Sequence, residues 1–447
     1  MGESPGNGFT ACFLQLTTTV VNKVKVPTMK RRTFFGAMSG ALAAGTCGAS
    51  LAAPRRKRIA VVTTSWTYYT HAWHMAERFL VGYPSEGRWH RPALDVVSVY
   101  VDQQGKADLS RSRSEEFGFS KYPTIAETLR CGGESLAVDA VLVIGEHGNY
   151  PKNEIGQKLY PRYEFFQQIV DVFREDRRSV PMFNDKHLSW KWAWAKEMVE
   201  TARQMDFAYL AGSSLPVTWR MPSVEMPDDA QVDEVMCIGM GKVDLYDFHA
   251  LEVIQCMAER RRGGETGVAW VEALRGDKAR KAMEATSWEH GGWDPELFQS
   301  CLCRSQTLAQ PETFSHLYPT PEEIQQWVSD PVIYRIQYND GLKSTMMLLN
   351  GLVKDFTFAA RLKGRSEPLS TLFYLSPTPN VVYSAALMSN VEKTFLTGKA
   401  TYPVERTLLT SGMVEAALQS LAGNRRIETP YMDIQYDALR ESTFWNS

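Results

Sequence analysis

The two halves of the chain differ in the pattern of their hydrophobic and polar residues. In the first half, short apolar runs without polar interruptions are typical of strands that are buried on both faces of a parallel sheet. These runs occupy residues 58–62, 95–101, 138–144, 180–183 and 207–211. Segments with helical spacing lie between them, at residues 71–80, 112–117, 124–129, 162–175 and 189–205. Strands that alternate with helices in this way predict a doubly wound parallel α/β sheet.

The second half has the alternation of an antiparallel sheet. Its predicted strands are residues 232–240, 333–338, 343–350, 355–362 and 370–375, and its predicted helices are residues 244–261 and 402–421. The turn Asn339-Asp340-Gly341 fits a tight hairpin, because such turns need positive φ angles. Residues 263–310 are less regular and are interpreted as an insertion or a lid.

A turn-rich crossing at residues 212–216 separates the two patterns and predicts a domain boundary. We therefore expect a Rossmann-like, dinucleotide-binding type of domain at residues 54–213. A C-terminal α/β domain with an open, mainly antiparallel sheet should follow at residues 214–447.

The N-terminal residues 1–53 are expected to lie outside the fold. A basic start that contains Arg31 and Arg32 precedes a short, weakly apolar run that ends in Ala52-Ala53-Pro54. This order is typical of a twin-arginine signal peptide that is too short for a stable membrane span. We therefore expect export, to the periplasm or beyond, with a disordered basic tail as the alternative. Met29 directly precedes the segment, so residues 1–28 are interpreted as an upstream extension.

Composition excludes several other classes of protein. The chain has 447 residues, 44% of them hydrophobic and 22% charged, with a net charge of −2, as is ordinary for a soluble globular protein. No basic stripe outside the N-terminus indicates a nucleic-acid partner. Two of the seven cysteines fall in residues 1–53, and the other five lack CxxC spacing. This pattern argues against a disulfide framework or a zinc knuckle.

The first candidate for chemistry is the polar stretch that ends the fourth strand, Asn184-Asp185-Lys186-His187. Ligands of open parallel sheets bind beyond the carboxyl ends of the strands. A lysine that lies at such a strand end is a candidate acid–base group. The alternative is a solvated loop lysine.

Several segments together resemble the Gfo/Idh/MocA (glucose–fructose oxidoreductase and inositol dehydrogenase) family. They are the strand Val96 to Asp102 with its acidic end, Phe117-Gly118, Tyr122-Pro123-Thr124, Glu127 and Val138 to Val141. Asp185-Lys186-His187 stands where that family has a strand-end Glu-Lys-Pro motif. The resemblance implies an NAD- or NADP-dependent oxidoreductase that acts on a hydroxyl of a sugar or polyol.

The resemblance also implies catalytic residues. The helix that contains His249 is similar to the family's Asp-x-x-x-His helix, whose histidine acts with the lysine in proton and hydride transfer. Lys186 and His249 would form that pair. Asp244 and Asp247 lie five and two residues before His249, rather than four, and either could supply the acid.

Cofactor-binding residues follow from the same resemblance. They are Thr63, Thr64 and Ser65 in the first turn, Asp102 at the ribose hydroxyls, and Glu146, His147 and Asp185 at later strand ends. The turn after the first strand contains no glycine and is crowded with aromatic residues. A pyrophosphate could nevertheless meet helix N-terminal amides and Ser or Thr hydroxyls there.

A second interpretation keeps the fold and changes the chemistry. Histidines that could hold a metal lie on one face of the helix after the first strand, directly after the third strand and after the fourth strand, namely His71, His74, His147 and His187. The protein would then be a lyase, isomerase or hydrolase, or else a non-catalytic carbohydrate-binding protein. On either interpretation we expect a small-molecule partner, a carbohydrate. A homo-oligomer through the C-terminal sheet is also expected from the resemblance.

Overall fold

The computed structural model describes residues 55–446. The predicted extension and signal peptide at residues 1–53 lie outside these residues. Among the helices described, none is long and apolar enough to cross a membrane.

The first half alternates strands and helices in the predicted order. In chain order, the elements are β1 (Lys57–Thr63), a π-helical turn (Ala72–Ala76), α1 (Glu77–Val81), β2 (Tyr83–Ser85), β3 (Arg88–His90), β4 (Leu94–Val101), α2 (Ser110–Phe117), β5 (Ser120–Lys121), α3 (Ile125–Arg130), β6 (Ala140–Ile144), α4 (Arg162–Glu175), β7 (Met182–Asp185), α5 (Trp192–Gln204) and β8 (Tyr209–Gly212).

The second half contains the larger sheet and the helices that cover it. Its elements are β9 (Arg220–Met221), β10 (Val232–Gly239), α6 (Asp247–Ala258), β11 (Val268–Arg275), α7 (Asp277–Met283), α8 (Pro295–Arg304), α9 (Pro321–Trp327), β12 (Val332–Tyr338), β13 (Lys343–Leu348), β14 (Phe356–Leu362), β15 (Leu369–Phe373), α10 (Tyr383–Thr397), α11 (Glu405–Gly423) and β16 (Ile427–Glu428).

The first sheet is parallel throughout, with the strand order β5-β4-β1-β6-β7-β8. Its central strands are almost wholly apolar because both faces are covered by helices. The strand order reverses at β1, which lies between β4 and β6. Ligand crevices of doubly wound sheets form at such a reversal, beyond the carboxyl ends of the strands. The predicted α/β fold class is confirmed.

The second sheet is mainly antiparallel, with the order β16-β11-β12-β13-β10-β14-β15-β9 and one parallel pair, β10 with β13. Alternate residues of β10 enter two different cores. Val235 and Cys237 join the core that contains α6, whereas Met236 and Ile238 join a core with α7, α8 and α9. Both faces of this sheet are therefore covered within one chain.

Residues 263–310 do not form a lid over the sheet edge where the candidate residues lie. They supply strand β11 and helices α7 and α8, and α8 packs Leu297 and Cys301 onto the sheet face opposite α6. The interpretation as a lid is wrong because the apolar side of these helices is buried against strands. The predicted homo-oligomer through this sheet stays a prediction.

Two late helices tie the C-terminal part of the chain to the first sheet. Helix α10 packs Leu387, Val391 and Phe395 against the face of the first sheet that also carries α1. Helix α11 contributes Leu408 to the core on the other face and Leu409 to the core of the second sheet. The first sheet is thus completed by residues from beyond the predicted domain boundary.

Candidate active site

The predicted lysine lies in a sharp connection between two strand ends. Strand β7 ends at Asp185, and Lys186 has a φ of 69° and donates its backbone N–H to the Gly212 carbonyl at 3.0 Å. Lys186 is buried, with 6% of its surface exposed. Three consecutive side chains, those of Asp185, Lys186 and His187, therefore leave one strand end toward three different partners.

Lys186 meets His249, as the resemblance implies. Its Nζ contacts Nε2 of His249, which lies in the first turn of α6. Burial lowers the pKa of Lys186, and Arg162 adds to this effect while Glu146 and Asp185 oppose it. Burial also lowers the pKa of His249 well below 6.5. The neutral imidazole therefore accepts a hydrogen bond from the ammonium group.

Asp185 binds the first βα turn rather than open solvent. Its Oδ2 lies 2.6 Å from Nδ1 of His71, and the carboxyl group is fully buried. Burial raises the pKa of Asp185 to about 6, while Lys186 and Arg162 act to lower it. Burial lowers the pKa of His71 well below 6.5. Near neutral pH the pair is thus a carboxylate that accepts from a neutral imidazole.

The third side chain, His187, is held by an arginine that the sequence did not indicate. Arg162 begins α4, is fully buried, and approaches His187 Nε2 with Nη1 at 2.9 Å. Its Nη2 forms an ion pair with Glu146. Glu146 was predicted to bind a cofactor, but in the structure its charge is balanced by Arg162. No local signal marks Arg162, because its role depends on the loop after β6.

The two aspartates near His249 have different surroundings, and neither is hydrogen-bonded to it. Asp247 is fully buried and accepts from Tyr334 at 2.9 Å and from the Phe248 and Leu245 amides. Asp244 accepts from the Lys158 amide at 2.6 Å, and its Oδ1 is buried without a partner in the described chain. Burial raises the pKa of Asp244 to about 7. Asp247 therefore stabilises the start of α6, whereas Asp244 has one carboxyl oxygen without a hydrogen-bond partner in the described chain.

Beyond the carboxyl ends of β1, β4 and β6 lies a cavity of about 560 Å³. Its lining residues are Ser65, Thr67, Thr70, Gln103, Gln104, Gly105, His147 and Gly148. The volume is within the range of ordinary small-molecule sites. The cavity coincides with the strand-order reversal in the sheet.

The predicted cofactor-binding residues around this cavity are only partly available. Thr63 and Thr64 donate their hydroxyls to backbone carbonyls of residues 144 and 146. Ser65 Oγ and His147 Nε2, in contrast, are buried and have no partner in residues 55–446. The turn after β1 therefore offers the Ser65 hydroxyl to a ligand, and the loop after β6 offers the His147 imidazole.

Asp102 does not present a free carboxylate. Its two oxygens accept hydrogen bonds from Tyr100 at 2.8 Å and from Tyr150 at 2.6 Å. Next to it, the Gln103 side chain binds both the N–H and the carbonyl of Asn149. These contacts join the loops after β4 and β6 above the end of β1. Asp102 is nevertheless exposed, so a ribose hydroxyl could share its carboxylate with the two tyrosines.

The histidines of the second interpretation come together only in part. The His71 ring lies 4.8 Å from that of His74 and 4.9 Å from that of His147, whereas His187 faces Arg162. Within residues 55–446, no three His, Cys, Asp or Glu side chains are arranged to hold a metal ion. Burial lowers the pKa of all four histidines. The metal alternative gains no support from this geometry.

The arrangement of the two sheets matches a known fold. A doubly wound sheet is followed by a mixed sheet whose first helix brings a histidine onto a strand-end lysine. The chain thus has the fold of Gfo/Idh/MocA dehydrogenases, and the resemblance inferred from the sequence is confirmed at the level of the fold.

Several solved structures are similar to this chain. The myo-inositol dehydrogenase from Lactobacillus casei, in complex with NAD(H) and myo-inositol, matches with a TM-score of 0.51 and 10% identity over 88% of this chain and 100% of that one. GenD2 from gentamicin A biosynthesis, in complex with NAD, matches with a TM-score of 0.51 and 11% identity over 87% and 99% of the respective chains. A probable dehydrogenase from Thermotoga maritima matches with a TM-score of 0.50 and 12% identity over 84% of this chain and 99% of that one. No protein-family model and no curated protein sequence matches the chain.

Proposed function

We propose that the protein is an oxidoreductase that oxidises a hydroxyl group of a sugar or polyol with NAD or NADP as the hydride acceptor. The observation that carries the proposal is the contact between Lys186 and His249. It joins the carboxyl edge of the first sheet to the first helix of the second sheet, and the cavity of about 560 Å³ lies beyond strand ends of the same sheet. The likeness to dehydrogenases with bound nicotinamide nucleotides supports the same chemistry.

The acid–base pair would act on the substrate hydroxyl. Loss of the hydroxyl proton assists the departure of hydride from the same carbon, and a neighbouring ammonium group stabilises the developing alkoxide. Lys186 has its ammonium group fixed against His249 in a buried site, where such an interaction is stronger than in water. His249, held neutral by burial, can accept the proton that passes through the pair.

The cavity fits part of a dinucleotide. Ser65 Oγ and His147 Nε2 are buried polar atoms without partners, and Thr67, Thr70 and Gly148 line the same space. These residues would hold the pyrophosphate region, and the exposed Asp102 would accept from a ribose hydroxyl in addition to Tyr100 and Tyr150. When bound, the nicotinamide supplies the hydride acceptor that no side chain can provide.

A carbohydrate or related polyol is the proposed substrate class. One structure with this fold contains bound myo-inositol. At the candidate site, the Tyr246 ring lies 5.9 Å from that of His249 and is 39% exposed, and the Tyr383 ring lies 6.1 Å from that of His74. Tyrosines with an apolar face and a hydroxyl suit a ligand with many hydroxyl groups. Export by the twin-arginine route remains part of the proposal and rests on residues 30–53 alone.

The proposal is tested with the full chain by titration with NAD and NADP and by nicotinamide reduction with myo-inositol and a panel of aldoses. We expect Lys186→Met to lower kcat/KM about 10²–10⁴-fold, as is typical for loss of an acid–base group. Lys196→Met, on the exposed side of α5, is the matched control and should leave kcat/KM unchanged. Absence of nucleotide binding, or full activity in Lys186→Met, would refute the proposal.

A further inference from the structure

Consecutive residues at the end of β7 each hold one histidine. Asp185 contacts His71 at 2.6 Å, and Lys186 contacts His249. His71 belongs to the turn after β1, whereas His249 belongs to α6. Both histidines are partly accessible, and each contributes to the electrostatic environment of the site. The site therefore contains two imidazole-centred pairs.

The two pairs have opposite chemical character. The Asp185 carboxylate accepts from Nδ1 of His71, so the His71 Nε2 atom carries a lone pair. That nitrogen has no hydrogen-bond partner in residues 55–446, and 15% of the side chain is exposed. On the other side, His249 is bound to an ammonium donor. The His71 pair is thus built to accept a proton, whereas the Lys186 ammonium group of the other pair can also stabilise negative charge on oxygen.

The surroundings of His71 keep its imidazole neutral. Burial lowers its pKa most, and cationic neighbours add to that effect while Glu146 opposes it. The titratable and charged groups that act on it come from the end of β7 and the residue after it, the loop after β6, the start of α4, α6 and its own π-helical turn. They are Asp185, Lys186, Glu146, His147, Arg162, His249 and His74. The neutral form is the form that can act as a base.

We propose that His71 is a further catalytic acid–base residue and that it removes the proton from the carbon next to the substrate carbonyl. This inference rests on the proposed function, since oxidation of a hydroxyl makes that carbonyl. The C–H bond breaks, its proton goes to His71 Nε2, and its electron pair forms a C=C bond. The carbonyl π electrons move to oxygen, which becomes an enolate stabilised by the Lys186 ammonium. Return of a proton from His71 restores the ketone. Asp185 is the positioning residue that orients His71.

The step can be measured without nicotinamide. The probe is the ketone formed by oxidation of the 2-hydroxyl of myo-inositol, incubated with the full chain in D₂O and followed by ¹H NMR. We expect the protein to accelerate deuterium incorporation next to the carbonyl and His71→Asn to lower that rate at least 100-fold. Asp185→Asn should lower it about tenfold. Imidazole added to His71→Ala should restore exchange, which a purely structural role of His71 would not allow.

The control is His316→Gln, which changes an exposed histidine and should exchange at the wild-type rate. Circular dichroism and thermal melts verify that each variant is folded, and Asp185→Asn keeps the test valid if the His71 variants fail to fold. Exchange by His71→Asn at the wild-type rate, or no exchange by the wild type, would overturn the inference. Nicotinamide titration of the same samples shows separately whether the proposed oxidoreductase function fails.

Discussion

Arg162 is the residue whose importance depends most on its partners. It is completely buried, yet it carries a permanent charge that Glu146 neutralises and a second contact with His187. A buried ion pair is expensive to form and more expensive to break, because the remaining charge stays desolvated. Arg162 thus connects the stability of the first sheet with the position of the strand-end residues.

We expect Arg162→Met to lower the free energy of unfolding by about 3–5 kcal/mol, because it leaves the Glu146 carboxylate buried without its partner. Urea denaturation measures the change. Arg174→Met, on the exposed side of the same helix, should cost less than about 1 kcal/mol. The double variant Glu146→Gln/Arg162→Met should recover part of the loss. A loss below about 1 kcal/mol in Arg162→Met would contradict the ion-pair argument.

Glu252 supplies a prediction about pH. It is fully buried, and burial raises its pKa to about 7 although Ser213 and Thr407 donate hydrogen bonds to it. The pKa of Glu252 in the folded state exceeds the unfolded value of about 4.3. The contribution of its protonated carboxyl group to the free energy of unfolding is therefore complete below about pH 4 and is lost as the pH rises toward 7. A glutamine at this position does not titrate, so it adds no pH dependence to the stability.

Glu252→Gln should therefore gain stability relative to the wild type between pH 5 and pH 8, by up to about 3 kcal/mol. Thermal melts of both proteins across this range provide the measurement. The exposed Glu200→Gln is the control and should show a constant difference. A constant difference for Glu252→Gln as well would mean that its carboxyl group has an ordinary pKa.

At the scale of elements, the loop between β7 and β8 positions the site. Gly212 ends β8, has a φ of 122°, and accepts the Lys186 amide hydrogen. A Cβ atom at this position would lie 2.7 Å from Glu252 Oε1 and 2.9 Å from Thr407 Oγ1. Few other residues fit here, because both the φ angle and the space favour glycine.

Gly212→Ala should destabilise the protein by about 2–4 kcal/mol and lower kcat, because relief of the clash moves the backbone that holds Lys186. Gly118→Ala is a matched control: its φ is also positive, at 80°, but no atom lies within 4 Å of the added Cβ. It should cost only about 1 kcal/mol and leave kcat unchanged. Chemical denaturation and steady-state kinetics separate the two effects. Equal losses in both variants would show that φ strain alone is responsible.

The elements also show where local patterns were sufficient. Strands β1, β4 and β6 were predicted closely, because a strand buried on both faces must be apolar along its whole length. Strand β11 and helix α8 were interpreted as an irregular insertion, and α10 was not predicted. Their apolar residues are buried by strands and helices distant in sequence, so a local pattern carries little information about them.

At the scale of the whole molecule, the chain crosses the predicted boundary at residue 213 more than once. Helix α10 covers one face of the first sheet with Leu387, Met388, Val391 and Phe395, all fully buried. Each buried apolar side chain of this size contributes roughly 2 kcal/mol. The first sheet therefore depends on residues at the far end of the chain.

A fragment of residues 55–213 should accordingly fail to unfold cooperatively, because one face of its sheet would be exposed to water. Calorimetry and binding of a hydrophobic dye would show a broad or absent transition and high dye fluorescence. Fusion of residues 376–403 to the fragment should restore part of the cooperativity. A sharp transition in the unfused fragment would contradict this account and would support an independent domain at residues 54–213.

The sequence by itself determined the two-sheet architecture and the position of Lys186 at a strand end, since both follow from periodicity over short stretches. It also indicated His249 through a helix with a recognisable pattern. Only the tertiary structure decided that Asp102 is bound by two tyrosines, that Arg162 neutralises Glu146, and that Asp185 holds His71. Except for Tyr100 and Asp102, which are two positions apart, these contacts join residues 16 to 114 positions apart. Charge balance in a buried site is set by distances that periodicity does not encode.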